Sequence, residues 1–212
     1  INGEAGVDTL RGETGNDTIS GGSEGDTILG GDGFDTLNGD SGADTLYGEG
    51  GNDTLFGGSE SDVLLGGDGL DELNGNAGDD QLFGEYVGDF LYGGVGNDTL
   101  NGGLGDEFIL GVLCYDILHG GFGSDAYYGE AGNNTFAFVR AEMANGDADS
   151  IWDWDAPSDT IQIFGATAAN ISTAVVGPDV LIAVALVGGG TANIFVRGTT
   201  DNVAVFNDIQ FI

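Results

Sequence analysis

The chain has 212 residues and a formal net charge of −33: 36 acidic residues stand against Arg11, Arg140 and Arg197, with no lysine. Such a charge excludes nucleic acid and anionic membranes as partners held through a basic patch. The longest apolar run, Val180 to Val187, falls far short of the roughly 20 residues a membrane helix needs. The lone cysteine, Cys114, excludes an intrachain disulfide and reads as a small buried or half-buried apolar residue.

From Gly3 to Gly129 every ninth residue is glycine, fifteen times in succession. Five residues after each glycine comes an acid or its amide: Asp8, Asp17, Asp26, Asp35, Asp44, Asp53, Asp62, Asp71, Asp80, Asp89, Asp98, Glu107, Asp116, Asp125 and Asn134. Two residues further on comes one large apolar or aromatic residue, from Leu10 through Leu55 to Phe136. A fixed period of this kind predicts a solenoid of stacked turns. Ile1 already occupies the apolar slot, so the reading expects further chain upstream.

In Gly48-Glu49-Gly50-Gly51-Asn52-Asp53-Thr54-Leu55-Phe56, the first six residues predict a turn and the last three a short strand with Leu55 pointing inward. Glycines admit positive φ, which points backbone carbonyls at a common centre, and the aspartate adds a carboxylate. An all-oxygen donor set suits Ca²⁺ better than zinc or copper. With so much like charge and one apolar residue in nine, cations are expected to be part of the fold.

The repeat resembles the haemolysin-type, or RTX, calcium-binding nonapeptide G-G-x-G-x-D-x-U-x over residues 1–137. The resemblance implies a parallel β-roll in which successive nonapeptides alternate between two sheets, 18 residues completing a turn. Ca²⁺ would lie between repeats n and n+2. The acids then fall into two rows, Asp8, Asp26, Asp44, Asp62, Asp80, Asp98, Asp116 and Asn134 on one edge and Asp17, Asp35, Asp53, Asp71, Asp89, Glu107 and Asp125 on the other. Glu107, Asp116 and Asn134 are left out of the candidate ligand set. Glu24 and Glu60 enter it because each follows a Gly-Gly-Ser in the slot that is usually glycine. Each either adds a carboxylate to a site or points into solvent. Gly84 to Asp89 and Gly111 to Asp116 lack the glycines of the other turns, through Val87 and Val112 with Cys114, and are expected to bind calcium poorly.

Outward strand positions are partly apolar. Leu29, Tyr47, Leu65 and Phe83 fall one per turn on one sheet, a contact stripe for self-association or for an upstream domain. Phe90, Tyr92, Phe108, Leu110, Ala126 and Tyr128 cluster on the other, where the C-terminal segment is expected to cover them. His119, the single histidine, reads as a surface residue.

After Ala137 the register stops. A short helix is expected over Val139 to Ala144, ended by Asn145-Gly146. Strands are expected over Ser150 to Trp154, Thr160 to Phe164, Val180 to Val187, Ala192 to Arg197, Val203 to Phe206 and Ile209 to Ile212, with Gly188 to Gly190 making a hairpin. Asp149-Ser150-Ile151-Trp152-Asp153-Trp154 and Asp159-Thr160-Ile161-Gln162-Ile163 resemble the D-x-I-x-D-F…D-x-I-x-L segment that follows the repeats in many RTX proteins. In that family the uncleaved C-terminus carries a type I secretion signal.

Catalytic motifs fail on context. Gly21-Gly22-Ser23-Glu24-Gly25 matches G-x-S-x-G but sits in a repeat turn rather than a strand-turn-helix, with no histidine partner nearby. The expectation is an all-β parallel β-roll over residues 1–137 with a C-terminal β-rich cap over 138–212. Its expected role is structural: a secreted bacterial protein, extracellular or at the cell surface, that folds on calcium. Two rivals stay open, a self-assembling surface-layer, filament or adhesin protein, and the C-terminal part of a secreted protease or lipase.

Overall fold

The computed structural model describes residues 1–144, 146–155, 158–176, 178–186, 189–199, 205 and 209–212. The nonapeptides wind into a parallel β-solenoid. Among the described residues, odd strands such as Thr9–Thr14, Thr27–Asp32 and Thr45–Gly50 build one sheet of ten strands, and even strands such as Thr18–Ser23, Thr36–Ser41 and Thr54–Ser59 build a facing sheet of eleven. Each strand pairs with the one 18 residues on, Thr9 opposite Thr27 and Thr18 opposite Thr36. One coil of the roll therefore consumes two repeats, as the resemblance implies.

The strands are six residues long in most repeats, not three. Pairing runs Thr54–Glu72, Leu55–Leu73 and Phe56–Asn74, omits Gly57 and Gly75, then resumes at Gly58–Asn76 and Ser59–Ala77. The skipped glycine bends the strand without ending it. The second half of each strand is thus the first half of the turn expected from the sequence.

Between the sheets lie two files of side chains. Ile19, Leu37, Leu55, Leu73, Leu91 and Ile109 come from one sheet, and Ile28, Leu46, Leu64, Leu82, Leu100 and Leu118 from the other, all fully buried. Leu10, at the open end, is only partly buried. Burying one such side chain is worth about 1.5–3 kcal/mol. A single one per nonapeptide is a thin core, so the backbone ladder and the turns must hold much of the roll.

The sheets continue beyond the repeats. Ala148–Ile151 adds to the even sheet, with Ile151 beside Tyr127, and Thr160–Phe164 adds to the odd sheet, with Ile161 beside Phe136. Asp179–Ala185 and Thr191–Val196 pair antiparallel and complete the even sheet together with Ile171–Val176, an edge strand that alternation in the sequence did not reveal. Ile209–Phe211 closes the odd sheet. The Leu186 amide bonds the Gly190 carbonyl at 3.2 Å across the expected hairpin. Of the strand expected over Val203 to Phe206 only Val205 lies within the described residues, and there it is buried in helical, not extended, conformation; Asn145, Val187 and Gly188 lie outside them.

The expected helix over Val139 to Ala144 is absent. Val139 ends the strand Thr135–Val139, pairing with Phe164, and a tight turn follows in which the Glu142 amide bonds the Val139 carbonyl at 2.9 Å. So short a segment gains too little from helix propagation to leave a sheet partner. The strand expected to reach Trp154 stops at Ile151, because the Asp153 carboxylate turns back to accept the amides of Gly129 and Glu130.

The outward cluster on the even sheet is not covered by the C-terminal segment; that segment lengthens the sheet and extends the cluster. Phe108 lies 5.1 Å from Tyr128 between ring centroids, and Trp152 stacks on Tyr128 within 5° of parallel. The Arg197 guanidinium sits 5.1 Å above Trp152. Leu29, Tyr47, Leu65 and Phe83 do line up one per strand, all half-buried. The C-terminal strands join the far end of that sheet. Cys114 is exposed, not buried, because its turn slot faces outward at the roll's edge.

Candidate metal centre

Each turn keeps one backbone shape. The residue after the repeat glycine has positive φ in all fifteen repeats, whether it is Gly22 at 113° or Glu49 at 71°. So does the residue two further on, where glycine lies at 110–155° and Glu24, Glu60, Val87 and Cys114 lie at 71–91°. The turns around Val87 and Cys114 therefore hold the general path without glycine, at a cost of order 1–3 kcal/mol for each such residue. Glu24 and Glu60 show the same lowered φ in the same slot, so φ alone does not set the Val87 and Cys114 turns apart.

The aspartates form two internal ladders. One carboxylate oxygen of each accepts the main-chain amide of the aspartate 18 residues earlier: Asp8 to Asp26 at 2.7 Å, Asp17 to Asp35 at 2.8 Å, Asp53 to Asp71 at 2.8 Å. Asp44, Asp62, Asp80, Asp89 and Asp98 repeat the pattern. The other oxygen points inward. At Asp8, Asp26, Asp35, Asp44, Asp53, Asp62, Asp71, Asp80, Asp89, Asp98 and Asp116 it is buried and accepts no hydrogen bond from the protein.

Such an oxygen is costly unless something positive faces it. Its neighbours are backbone oxygens. A Cβ added to Gly21 would lie 2.5 Å from Asp26 Oδ2 and 2.9 Å from the Gly39 carbonyl, so carboxylate and carbonyl of successive coils crowd one cradle beside a residue that must be glycine. Burial pushes Asp62, Asp80, Asp89 and Asp116 up to about 7 and Asp53, Asp71 and Asp98 up to about 6. The amide hydrogen bond to each opposes this without prevailing. With no cation in the cradle, these groups resist ionising in the fold.

The donors fit a hard divalent cation. They are carboxylate and carbonyl oxygens, without nitrogen or sulfur, as Ca²⁺ prefers. Among the described residues no three His, Cys, Asp or Glu side chains converge, so an ion here would draw on main-chain carbonyls as well as carboxylates.

The RTX calcium-binding nonapeptide repeat family matches the chain at residues 2–37, 20–55, 29–64, 56–85, 88–111 and 115–136. The chain belongs to the RTX family. No curated protein sequence matches it. Among solved structures, an extracellular lipase, LipA from Serratia marcescens, shares 20% identity over 97% of this chain at a TM-score of 0.34. The AlgE6R3 subunit of the Azotobacter vinelandii mannuronan C5-epimerase shares 21% over 77% of this chain and 80% of its own, at a TM-score of 0.33. The RTX chain spans 40% of the lipase's length. These low TM-scores add nothing to the assignment, which rests on the repeats.

Several RTX side chains behave differently from their neighbours. Glu24 and Glu60 lie outside the aspartate rows, exposed. Glu24 accepts the Gly6 amide, and Glu60 accepts the Gly42 amide at 2.9 Å and the Ser59 hydroxyl at 2.8 Å. Those contacts, the Ser59 hydroxyl foremost, lower the Glu60 carboxyl. Asp125 sits in its row but gives its second oxygen to the Tyr127 hydroxyl. Asp116, left out of the candidates, carries the same buried oxygen as the others. Asp149 and Asp159 extend the two rows, accepting the amides of Asp125 and Asn134 at 3.0 Å each. Their signal was present, since Asp149–Ile151 and Asp159–Ile161 repeat the Asp-x-Leu spacing of the nonapeptides. His119 bonds Glu142 at 2.8 Å, and Ser23 ends a plain strand.

Proposed function

We propose that the chain is a secreted calcium-binding β-roll whose folding is driven by Ca²⁺ outside the cell and whose role is structural. The observation that carries this is the double row of buried carboxylate oxygens with no donor. Calcium at the cradles neutralises the rows, and its binding energy becomes folding energy. In calcium-poor cytosol the same charge keeps the chain extended, a form suited to passage through a secretion channel. The ligands proposed are Asp8, Asp17, Asp26, Asp35, Asp44, Asp53, Asp62, Asp71, Asp80, Asp89 and Asp98 with the turn carbonyls, and Asp116 joins them. Glu24 and Glu60 serve the turn amides instead. The G-x-S-x-G match at Gly21 to Gly25 lies in a repeat turn, so no activity is proposed for the chain. Far-UV circular dichroism tests the reading at neutral pH: a disordered spectrum in EDTA, β signal on adding millimolar Ca²⁺, and poor replacement by Mg²⁺, which demands tighter octahedral geometry. A β spectrum indifferent to chelation overturns it.

A second reading, that the roll also self-associates, is favoured by the uncovered stripe Leu29, Tyr47, Leu65 and Phe83. A flat, half-apolar sheet face of this kind suits packing against a second roll.

A further inference from the structure

Calcium at the aspartate rows, if the proposed function holds, should occupy cradles whose inner carboxylate oxygen has no donor. The cradle at Asp125 differs. At eleven row aspartates between Asp8 and Asp116 the second carboxylate oxygen is buried without a hydrogen-bond donor. At Asp125 that oxygen accepts the Tyr127 hydroxyl at 3.3 Å.

Tyr127 stands in the core slot that holds leucine or isoleucine in thirteen of the fifteen repeats. Its ring is buried there, edge-on to Phe136 and Phe138. The longer side chain carries its hydroxyl past the apolar file and into the polar edge. There it also accepts the Gly120 amide at 2.9 Å. The corresponding glycine of the first repeat, Gly3, gives its amide to the Ser20 carbonyl instead. The substitution coincides with the end of the ladder between Ile117–Phe122 and Thr135–Val139, which stops at His119 opposite Ala137.

The space itself is taken. Around Gly21 the carboxylate oxygen of Asp26 shares its cradle with the Gly39 carbonyl. Around Gly120 the carboxylate oxygen of Asp125 shares it with the Tyr127 hydroxyl. The hydroxyl supplies the donor that the other cradles lack, and beside Gly120 it stands where the carbonyl of the next coil stands beside Gly21. The geometry points to a roll in which Tyr127 closes the Asp125 cradle to calcium, so the chain binds one ion fewer than its rows allow. Asp125 is then a hydrogen-bond acceptor within the fold and not a ligand.

The inference rests on the calcium reading, and the test separates the two. Bound Ca²⁺ per chain is counted by native mass spectrometry and calorimetric titration with CaCl₂ for the full chain and for Tyr127→Phe, which keeps the ring and removes only the hydroxyl. The variant should bind one more ion than the parent. Equal counts in two chains that both bind calcium and fold overturn this inference alone, and a parent that binds none overturns the calcium reading. A measurement on the parent needs no variant: anomalous difference maps from crystals grown with CaCl₂ should show a cation at Asp71 and none at Asp125. A peak within ligand distance of Asp125 Oδ2 overturns the inference.

Discussion

Acid should partly replace calcium. With the cradles free of cations, Asp62, Asp80, Asp89 and Asp116 titrate near 7 in the fold, against about 3.9 in an unfolded chain. A group whose folded value is raised binds its proton more tightly in the fold. The apo fold is therefore favoured below about pH 4 and loses that advantage as pH rises toward 7. For one such carboxyl the loss is about 4 kcal/mol. Four of them already match or exceed the 5–15 kcal/mol that stabilises an ordinary domain. The apo roll should thus be unfolded at pH 8 and recover β structure on acidification, with its midpoint between those two limits. Circular dichroism in EDTA, scanned downward from pH 8 and stopped above the sequence pI of about 4.1 to avoid precipitation, would follow the change. A β spectrum at pH 8 in EDTA would refute the reasoning, and so would a chain still disordered at pH 4.5.

Two further outcomes are expected. Asp153→Ala should remove the acceptor of the Gly129 and Glu130 amides. It should cost about 1–3 kcal/mol, read as a lower urea midpoint in saturating calcium; an unchanged midpoint would mean that water replaces the carboxylate freely. Tyr47→Asp with Phe83→Asp should abolish self-association in sedimentation while leaving calcium-induced folding intact, and a parent already monomeric at high concentration would remove the self-association reading.

Much of this architecture is written openly in the residues. The phase of Gly, Asp and Leu at nine-residue spacing marks the stacked turns and the inward residue of each, because each slot meets the same surroundings in every coil; the two sheets, the 18-residue register and the two carboxylate rows follow from the resemblance to the RTX repeat. What the phase hides is whatever depends on a single side chain. Tyr127 looks like one more apolar core residue, and only its position shows that the hydroxyl reaches Asp125. Glu24 and Glu60 look like extra ligands, yet the positive φ of their slot sends them outward to the Gly6 and Gly42 amides. Past Ala137 the period ends. Val139 to Ala144 then reads as a helix because nothing local discloses the sheet partner Phe164, and Ile171–Val176 escapes notice because its pairing is supplied by a distant strand.

The alternation of repeats between two sheets also governs how such a chain can change length. Removing one nonapeptide upstream of Asp125 would carry every later strand to the opposite sheet together, Asp125, Tyr127 and Ala148–Ile151 included, so Asp149 still meets Asp125 and Ile151 still meets Tyr127. What breaks is the surface: an outward line such as Leu29, Tyr47, Leu65 and Phe83 would continue on the other sheet beyond the deletion. Gene duplication or loss can therefore lengthen or trim the roll by half a coil without disturbing its ending, and only changes of two repeats also keep each outward stripe on one face.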